Sequence, residues 1–448
     1  MDMVPTVASE PNLAERGMAA GLRALNWLAN SDLLDRLGIR DQTERFLHTA
    51  SKTSARTAAR AGRTFAAAQK RSRPARQPTA GRSDLFDVTP SEEQQMLQDS
   101  VREFGLAELR PAAEAADAQC AAPPELLAQA TELGLTMVGV PEELGGAVEQ
   151  RSAVTSALLS ETLAQGDMGI AVACMASAGV STAFGLWGDA DQQSTYLPEL
   201  VGENPPAAAL ALLEPRALFD PFSLRTEARS TDHGYVLSGA KALVPRAAED
   251  ELFIVAAQLD GRGPALFIVE SKYDGISVEP EPAMGVRAAA TARLVLEDVK
   301  LPDGARLGDG DPEVYRDCVH LARLGWCALA VGTGQAVLDY VIPYVNERKA
   351  FGEPISHRQA VAFTVANIAI ELDGMRLATY RAASRVDQGL PFAREAALAR
   401  RLCAERGMVI GSDGVQMLGG HGYVKEHPVE RWYRDLRAAG LMEGALLI

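Results

Sequence analysis

The chain has 448 residues, of which 47% are apolar and 23% charged, with a formal net charge of −15. That is the composition of an ordinary globular chain of about two to four domains, and it excludes collagen-like and wholly disordered classes. The five cysteines, Cys120, Cys174, Cys318, Cys327 and Cys403, form no C-x-x-C pair and the six histidines no H-x-x-x-H, so the reading is reduced thiols in a cytoplasmic setting and no metal centre.

Residues 1–83 read as an N-terminal extension. Met18, Leu22, Leu25 and Leu28, then Leu33, Leu34 and Leu37, form apolar helical stripes broken near Asn30-Ser31. From Arg45 to Arg82 there are eight Arg, two Lys and no acid, which makes this stretch +10 and leaves −25 for the rest. A transit peptide carries its basic region at the very start, whereas this one follows Asp32, Asp35 and Asp41. Two readings stay open: docking on the acidic body of its own oligomer, or peripheral contact with an anionic membrane or partner. Lys70 to Ser83, with Pro74, Pro78 and Gly81, reads as a linker.

Residues 84–205 read as a helical domain. Thr89, Pro90 and Glu92 are expected to form a capping box at its first helix. Glu132-Leu133-Gly134-Leu135 and Val140-Pro141-Glu142-Glu143-Leu144-Gly145-Gly146 follow, then Gly188, Gln192-Gln193 and Tyr196-Leu197-Pro198. Met168 to Trp187 carries no charge but is diluted by Gly, Ala, Ser and Thr, which predicts a buried helix hairpin rather than a membrane span.

Between residues 206 and 307 the period changes to that of strands. Leu252–Ala257 and Ala265–Val269 flank Asp260-Gly261 as a hairpin, and Arg293–Leu296 reads as a further strand. From 308 to 448 the helical pattern returns. Val361, Val365, Ile368, Leu372, Met375, Thr379, Ala382 and Val386 alternate spacings of four and three, the seam of a packed antiparallel bundle that Gly389-Leu390-Pro391 stops.

This last region carries the most specific motifs. Glu347-Arg348-Lys349-Ala350-Phe351-Gly352 precedes His357-Arg358-Gln359-Ala360, and Gln416-Met417-Leu418-Gly419-Gly420-His421-Gly422-Tyr423 precedes Pro428-Val429-Glu430-Arg431 and Arg434-Asp435. A single acid, Glu443, then stands in Met442-Glu443-Gly444 among apolar neighbours, a local setting suited to a general base.

Taken in order from Leu85 to Ile448, these fragments resemble the acyl-CoA dehydrogenase family. The resemblance implies an α+β fold with an N-terminal helical domain, a middle β-barrel or sheet domain and a C-terminal four-helix bundle that builds a homo- or heterotetramer. It implies FAD as cofactor, its pyrophosphate and adenosine held by Arg348, Phe351, Gln359, Gln416, Gly419 and Gly420, partly across a subunit interface. Guanidinium and glycine suit that task, the one by gripping phosphate and the other by allowing close backbone approach. Glu443 falls at the catalytic-base position, and Arg323, by its spacing from Ala330-Val331-Gly332, at that of an active-site arginine; a helix-face salt bridge is its other reading. The implied reaction is α,β-desaturation of an acyl-CoA thioester, with an electron-transfer flavoprotein as acceptor. Nothing beyond the basic arm points to nucleic acid, and the acidity of the body argues against it.

The chain also departs from the family pattern. Where the family has T-E-P-x-x-G-S-D, this chain reads Leu213-Glu214-Pro215-Arg216-Ala217-Leu218-Phe219-Asp220, and where it has K-x-W-I-T-N this chain reads Lys241-Ala242-Leu243-Val244-Pro245-Arg246. Two hydroxyls, a stacking indole and one backbone N–H are thereby absent from the flavin-ring loops. The family continues in helix beyond the catalytic Glu, whereas this chain ends at Ile448. Two alternatives follow: a flavin-poor partner subunit of a heteromeric dehydrogenase, or an acyl-CoA oxidase-like enzyme.

Overall fold

The computed structural model describes residues 86, 89–146, 148–202, 204–309 and 311–446. The leucine stripes, the basic stretch and the linker of the extension lie outside the described residues.

Among the described residues six helices come first: α1 (Glu92–Phe104), α2 (Arg110–Gln119), α3 (Pro124–Glu132), α4 (Ala153–Ala164), α5 (Met168–Trp187) and α6 (Ala190–Leu200). The capping box of α1 is built by Ser91 and Gln94, not by Thr89 and Glu92. Ser91 is extended (φ −63°, ψ 165°), which leaves Pro90 outside the helix. The Ser91 Oγ accepts from the Gln94 N–H at 3.1 Å and the Gln94 Oε1 from the Ser91 N–H at 2.9 Å, so two otherwise orphaned donors are satisfied at once.

The uncharged stretch Met168–Trp187 forms one continuous helix rather than a hairpin. Its glycines permit close packing instead of breaking the helix. A Cβ on Gly169 would lie 3.1 Å from that of Ala288, and one on Gly179 would lie 3.2 Å from Leu210 Cδ1. This helix and Pro312–Glu347 are long and apolar enough to cross a membrane, but each is mostly buried within the protein.

The middle of the chain forms β1 (Ala208–Ala211), β2 (Glu227–Thr231), β3 (Gly234–Val244), β4 (Leu252–Leu259), β5 (Gly263–Glu270), β6 (Ile276–Pro280), β7 (Ala292–Leu301) and β8 (Arg306–Leu307). They make one sheet in the order β6-β7-β3-β2-β4-β5-β8, with β1 parallel to β4. The hairpin around Asp260-Gly261 is present, with Leu259 opposite Gly263, and Arg293–Leu296 lies in β7. Strand β4 shows why the sheet is buried on both faces: Leu252, Ile254 and Ala256 join the core shared with the helices, while Phe253, Val255 and Ala257 alternate into a second core.

Three long helices follow, α7 (Pro312–Glu347), α8 (Gln359–Asp387) and α9 (Ala393–Leu418), then the short α10 (Val429–Asp435) and α11 (Ala438–Leu441). Along α8 the expected seam is in place: Ile368, Leu372, Met375, Thr379 and Ala382 are buried, and Val361, Val365 and Val386 half-buried. Helix α4 packs against α7 and α8. Its buried Glu161 accepts from Arg376 Nε at 2.8 Å and from the Tyr380 hydroxyl at 2.7 Å. Asp387, at the end of α8, accepts the N–H groups of Ala153 at 2.6 Å and Val154 at 3.1 Å and the Ser152 hydroxyl at 2.8 Å, which caps α4 from another helix.

Candidate active site

Glu443 follows α11, where the chain turns back toward the sheet: its φ is +57°, a region that side chains other than glycine seldom adopt. The turn is held by two buried guanidiniums. Arg323 on α7 donates to the Glu443 carbonyl from Nε at 3.0 Å and from Nη2 at 2.9 Å. Arg400 on α9 donates to the Met442 carbonyl at 2.6 Å and also to that of Gly444. The Ala445 N–H donates to the Phe219 carbonyl at 2.8 Å, which ties the turn to the loop after β1. Gly444 (φ +110°) is required here, since a Cβ would stand 2.7 Å from Pro221 Cδ and 3.1 Å from Arg323 Nη2.

The side chain of Glu443 is 8% exposed. Trp326 Nε1 donates to its Oε1 at 3.4 Å, and its Oε2 is buried without a partner. Burial raises the carboxyl above its ordinary range against the opposing pull of Trp326, Arg400, Arg323 and Lys241. Glu443 thus combines an apolar wall with a cationic backbone clamp, a more mixed setting than its apolar sequence neighbours suggest.

A cavity of about 240 Å³ opens beside it, bordered by Leu213, Leu243, Pro245, Trp326 and Met442 and, on the helical side, by Ser156, Ser160, Met175 and Gly179. A second cavity of about 470 Å³ shares Leu243, Trp326 and Met442 with the first and is closed by Met284, Arg437 and Leu446. Its apolar walls and its position one side chain away from Glu443 suit a flat aromatic ring system.

The strand end that borders both cavities is held by a buried ion pair. Lys241 is 0% exposed, and its Nζ donates to Glu214 Oε1 and to the Leu212 carbonyl, both at 3.2 Å. Burial lowers its pKa to about 8 against the pull of Glu214. Burial acts to raise the Glu214 carboxyl, but Lys241 and the N–H groups of Thr226 and Arg225 outweigh it and hold the group below its ordinary range. Lys241 and Glu214 thus lock together the two loops that depart from the family pattern.

The other sequence-derived residues lie elsewhere. Arg323 does not line either cavity, because its Nε and Nη2 are turned onto the Glu443 backbone. Arg348 caps the C-terminus of α7, and Phe351 (φ +55°) stands 96% exposed beside Gly352 in the turn of a small ribbon formed by Lys349–Ala350 and Glu353–Pro354. Gln359 opens α8, Gln416 lies in the last turn of α9, and Gly419 (φ +58°) and Gly420 follow it; all are exposed. The Tyr344 hydroxyl reaches the Leu418 carbonyl at 3.5 Å, which sets the end of α7 beside that of α9. These six residues therefore stand at the bundle surface, apart from Glu443, and none lines its cavity.

Arg400 and Trp326 are the site residues that motif reading missed. A signal for Arg400 exists: it follows Ala396 by four and precedes Cys403 by three, so a charge occupies the buried face of α9.

The N-terminal, middle and C-terminal domain models of acyl-CoA dehydrogenases match residues 91–204, 209–299 and 313–446. The chain is 32% identical to the mitochondrial short/branched chain specific acyl-CoA dehydrogenase of Rattus norvegicus, over 80% of this chain and 83% of that one. The chain belongs to the acyl-CoA dehydrogenase family. It is also similar to the 3-(aryl)acrylate reductase of Clostridium sporogenes, 32% identical over 79% of this chain and 95% of that one. Among solved structures it resembles butyryl-CoA dehydrogenase from Megasphaera elsdenii, with a TM-score of 0.75 at 29% identity, covering 81% of this chain and 97% of that one. As a member of this family the protein is a FAD-dependent oxidoreductase.

Proposed function

We propose that this family member oxidises an acyl-CoA thioester between its α and β carbons, with Glu443 as the base that removes the α-proton. The observation that carries this reading is the Glu443 carboxylate itself, buried at the wall of a cavity with Oε2 unpartnered while Oε1 is held by Trp326. A thioester α-proton is weakly acidic, so its acceptor must be dry, fixed and more basic than a solvated carboxylate. Burial supplies the basicity, and Arg323 and Arg400 fix the backbone on which the carboxylate turns. Arg323 acts here as a positioning residue, in place of the substrate contact expected from its spacing.

Leu243, Trp326 and Met442 would border the ring of FAD, and Arg348, Phe351, Gln359, Gln416, Gly419 and Gly420 would hold its pyrophosphate and adenosine, completed by a second subunit of a tetramer. Bound FAD supplies the two-electron acceptor. An electron-transfer flavoprotein would then take up the electrons.

The purified protein tests this reading. It is expected to carry about one flavin per chain, to bleach anaerobically with acyl-CoA, and to regain colour with an electron-transfer flavoprotein but only slowly in air. A colourless protein would instead support the partner-subunit reading, and rapid recovery in air an oxidase.

A further inference from the structure

Apart from Cys318, the Glu443 cavity has two ionisable residues in its lining, Glu443 and Arg151. Arg151 precedes Ser152, the N-cap of α4, and shares the helical wall of the cavity with Ser156, Ser160 and Gly179. Its guanidinium makes no hydrogen bond and no ion pair with any described residue, and its Nε is buried without a partner. Among the described residues the charge that acts on it is Asp387, whose carboxylate already accepts from Ala153 N–H, Val154 N–H and the Ser152 hydroxyl. Arg151 lines the cavity where α4 begins, beside Ala153 and Ser156, whereas Glu443 lines it from the turn after α11, beside Met442.

A guanidinium stays charged on burial, and leaving it unpaired is costly unless a ligand supplies the partner. A carboxylate matches its fork by two parallel hydrogen bonds. We propose that the cavity takes an acyl-CoA whose acyl chain ends in a carboxylate, with Arg151 as the partner of that terminus and Glu443 at the thioester end. Plain acyl chains are then disfavoured, because they leave the half-buried guanidinium, with its buried Nε, unpaired. This inference rests on reading the cavity as the acyl site.

Calorimetric binding of adipoyl-CoA and hexanoyl-CoA, equal in chain length, to the full-length protein tests it. Adipoyl-CoA is expected to bind on the order of 100-fold more tightly. Arg151→Met should close that gap, and Arg151→Lys, which keeps the charge but not the fork, should retain part of it. Equal or tighter binding of hexanoyl-CoA, a gap that survives Arg151→Met, or binding of neither thioester overturns the inference. The wild-type comparison decides even where a variant fails to fold. Preference for adipoyl-CoA without any oxidation of it supports the role of Arg151 and overturns the proposed reaction instead.

Discussion

At Glu443 the left-handed backbone costs about 1–2 kcal/mol for a residue with a side chain, and the Arg323 and Arg400 hydrogen bonds to the carbonyls of residues 442–444 offset it. Arg400→Met should therefore lower kcat by about 100-fold through misplacement of the carboxylate. It should also raise the acid limb of the pH profile, because a nearby positive charge that favours the ionised base is gone. In the wild type that limb already lies above the ordinary carboxylate range, and kcat/KM rises with pH through it. The family motif made Glu443 legible in the sequence. Its conformation was not legible, since nothing in Met442-Glu443-Gly444 says which distant arginines close on it. The buried pair is a second residue-scale case: Lys241→Met should cost about 3–5 kcal/mol in chemical denaturation by taking the buried cation from Glu214, which then keeps only the Arg225 and Thr226 N–H groups and a 3.6 Å contact with Arg216.

Elements were legible where periodicity is strong, as in the α8 seam and the β4–β5 hairpin, and less so where one capping pattern competes with another. Thr89 with Glu92 and Ser91 with Gln94 share the same spacing, and only the extended Ser91 backbone decides between them. A cap supplied from afar leaves no local signal at all. Asp387→Ala should destabilise the protein by about 1–2 kcal/mol by removing the acceptor of the Ala153 and Val154 N–H groups, which the Ser152 cap on Thr155 does not replace, measurable as a lower denaturation midpoint. In the segment between β3 and β4, Asp250 is buried with neither carboxylate oxygen partnered, and burial raises its pKa to about 8. An acid whose folded pKa exceeds its unfolded value contributes stability below the unfolded pKa and loses it as pH rises toward the folded one. Stability should accordingly fall between about pH 4 and pH 8, and Asp250→Asn should flatten that fall in melting curves taken across the range.

For the molecule as a whole, the order of helices, strands and helices followed from the change of period along the chain, and six ordered motifs turned it into a family fold. The composite character of the site did not follow, because the Glu443 turn, the Lys241 strand end and the α4 wall are brought together only by packing across three regions. On the proposed reading, the exposed cluster at the end of the bundle is half of a flavin site. Arg348→Ala should lower flavin content per chain without moving the melting transition, since Arg348 is exposed and a lost charge-assisted phosphate contact affects binding more than packing. The central claim, that Glu443 starts the reaction, is tested most directly by anaerobic mixing of Glu443→Gln with acyl-CoA while flavin absorbance is followed. Glutamine keeps the shape and the Trp326 contact but cannot take up the proton, so bleaching should slow by about three orders of magnitude or more with flavin content unchanged. Bleaching at the wild-type rate would contradict the account and move the base elsewhere in the cavity.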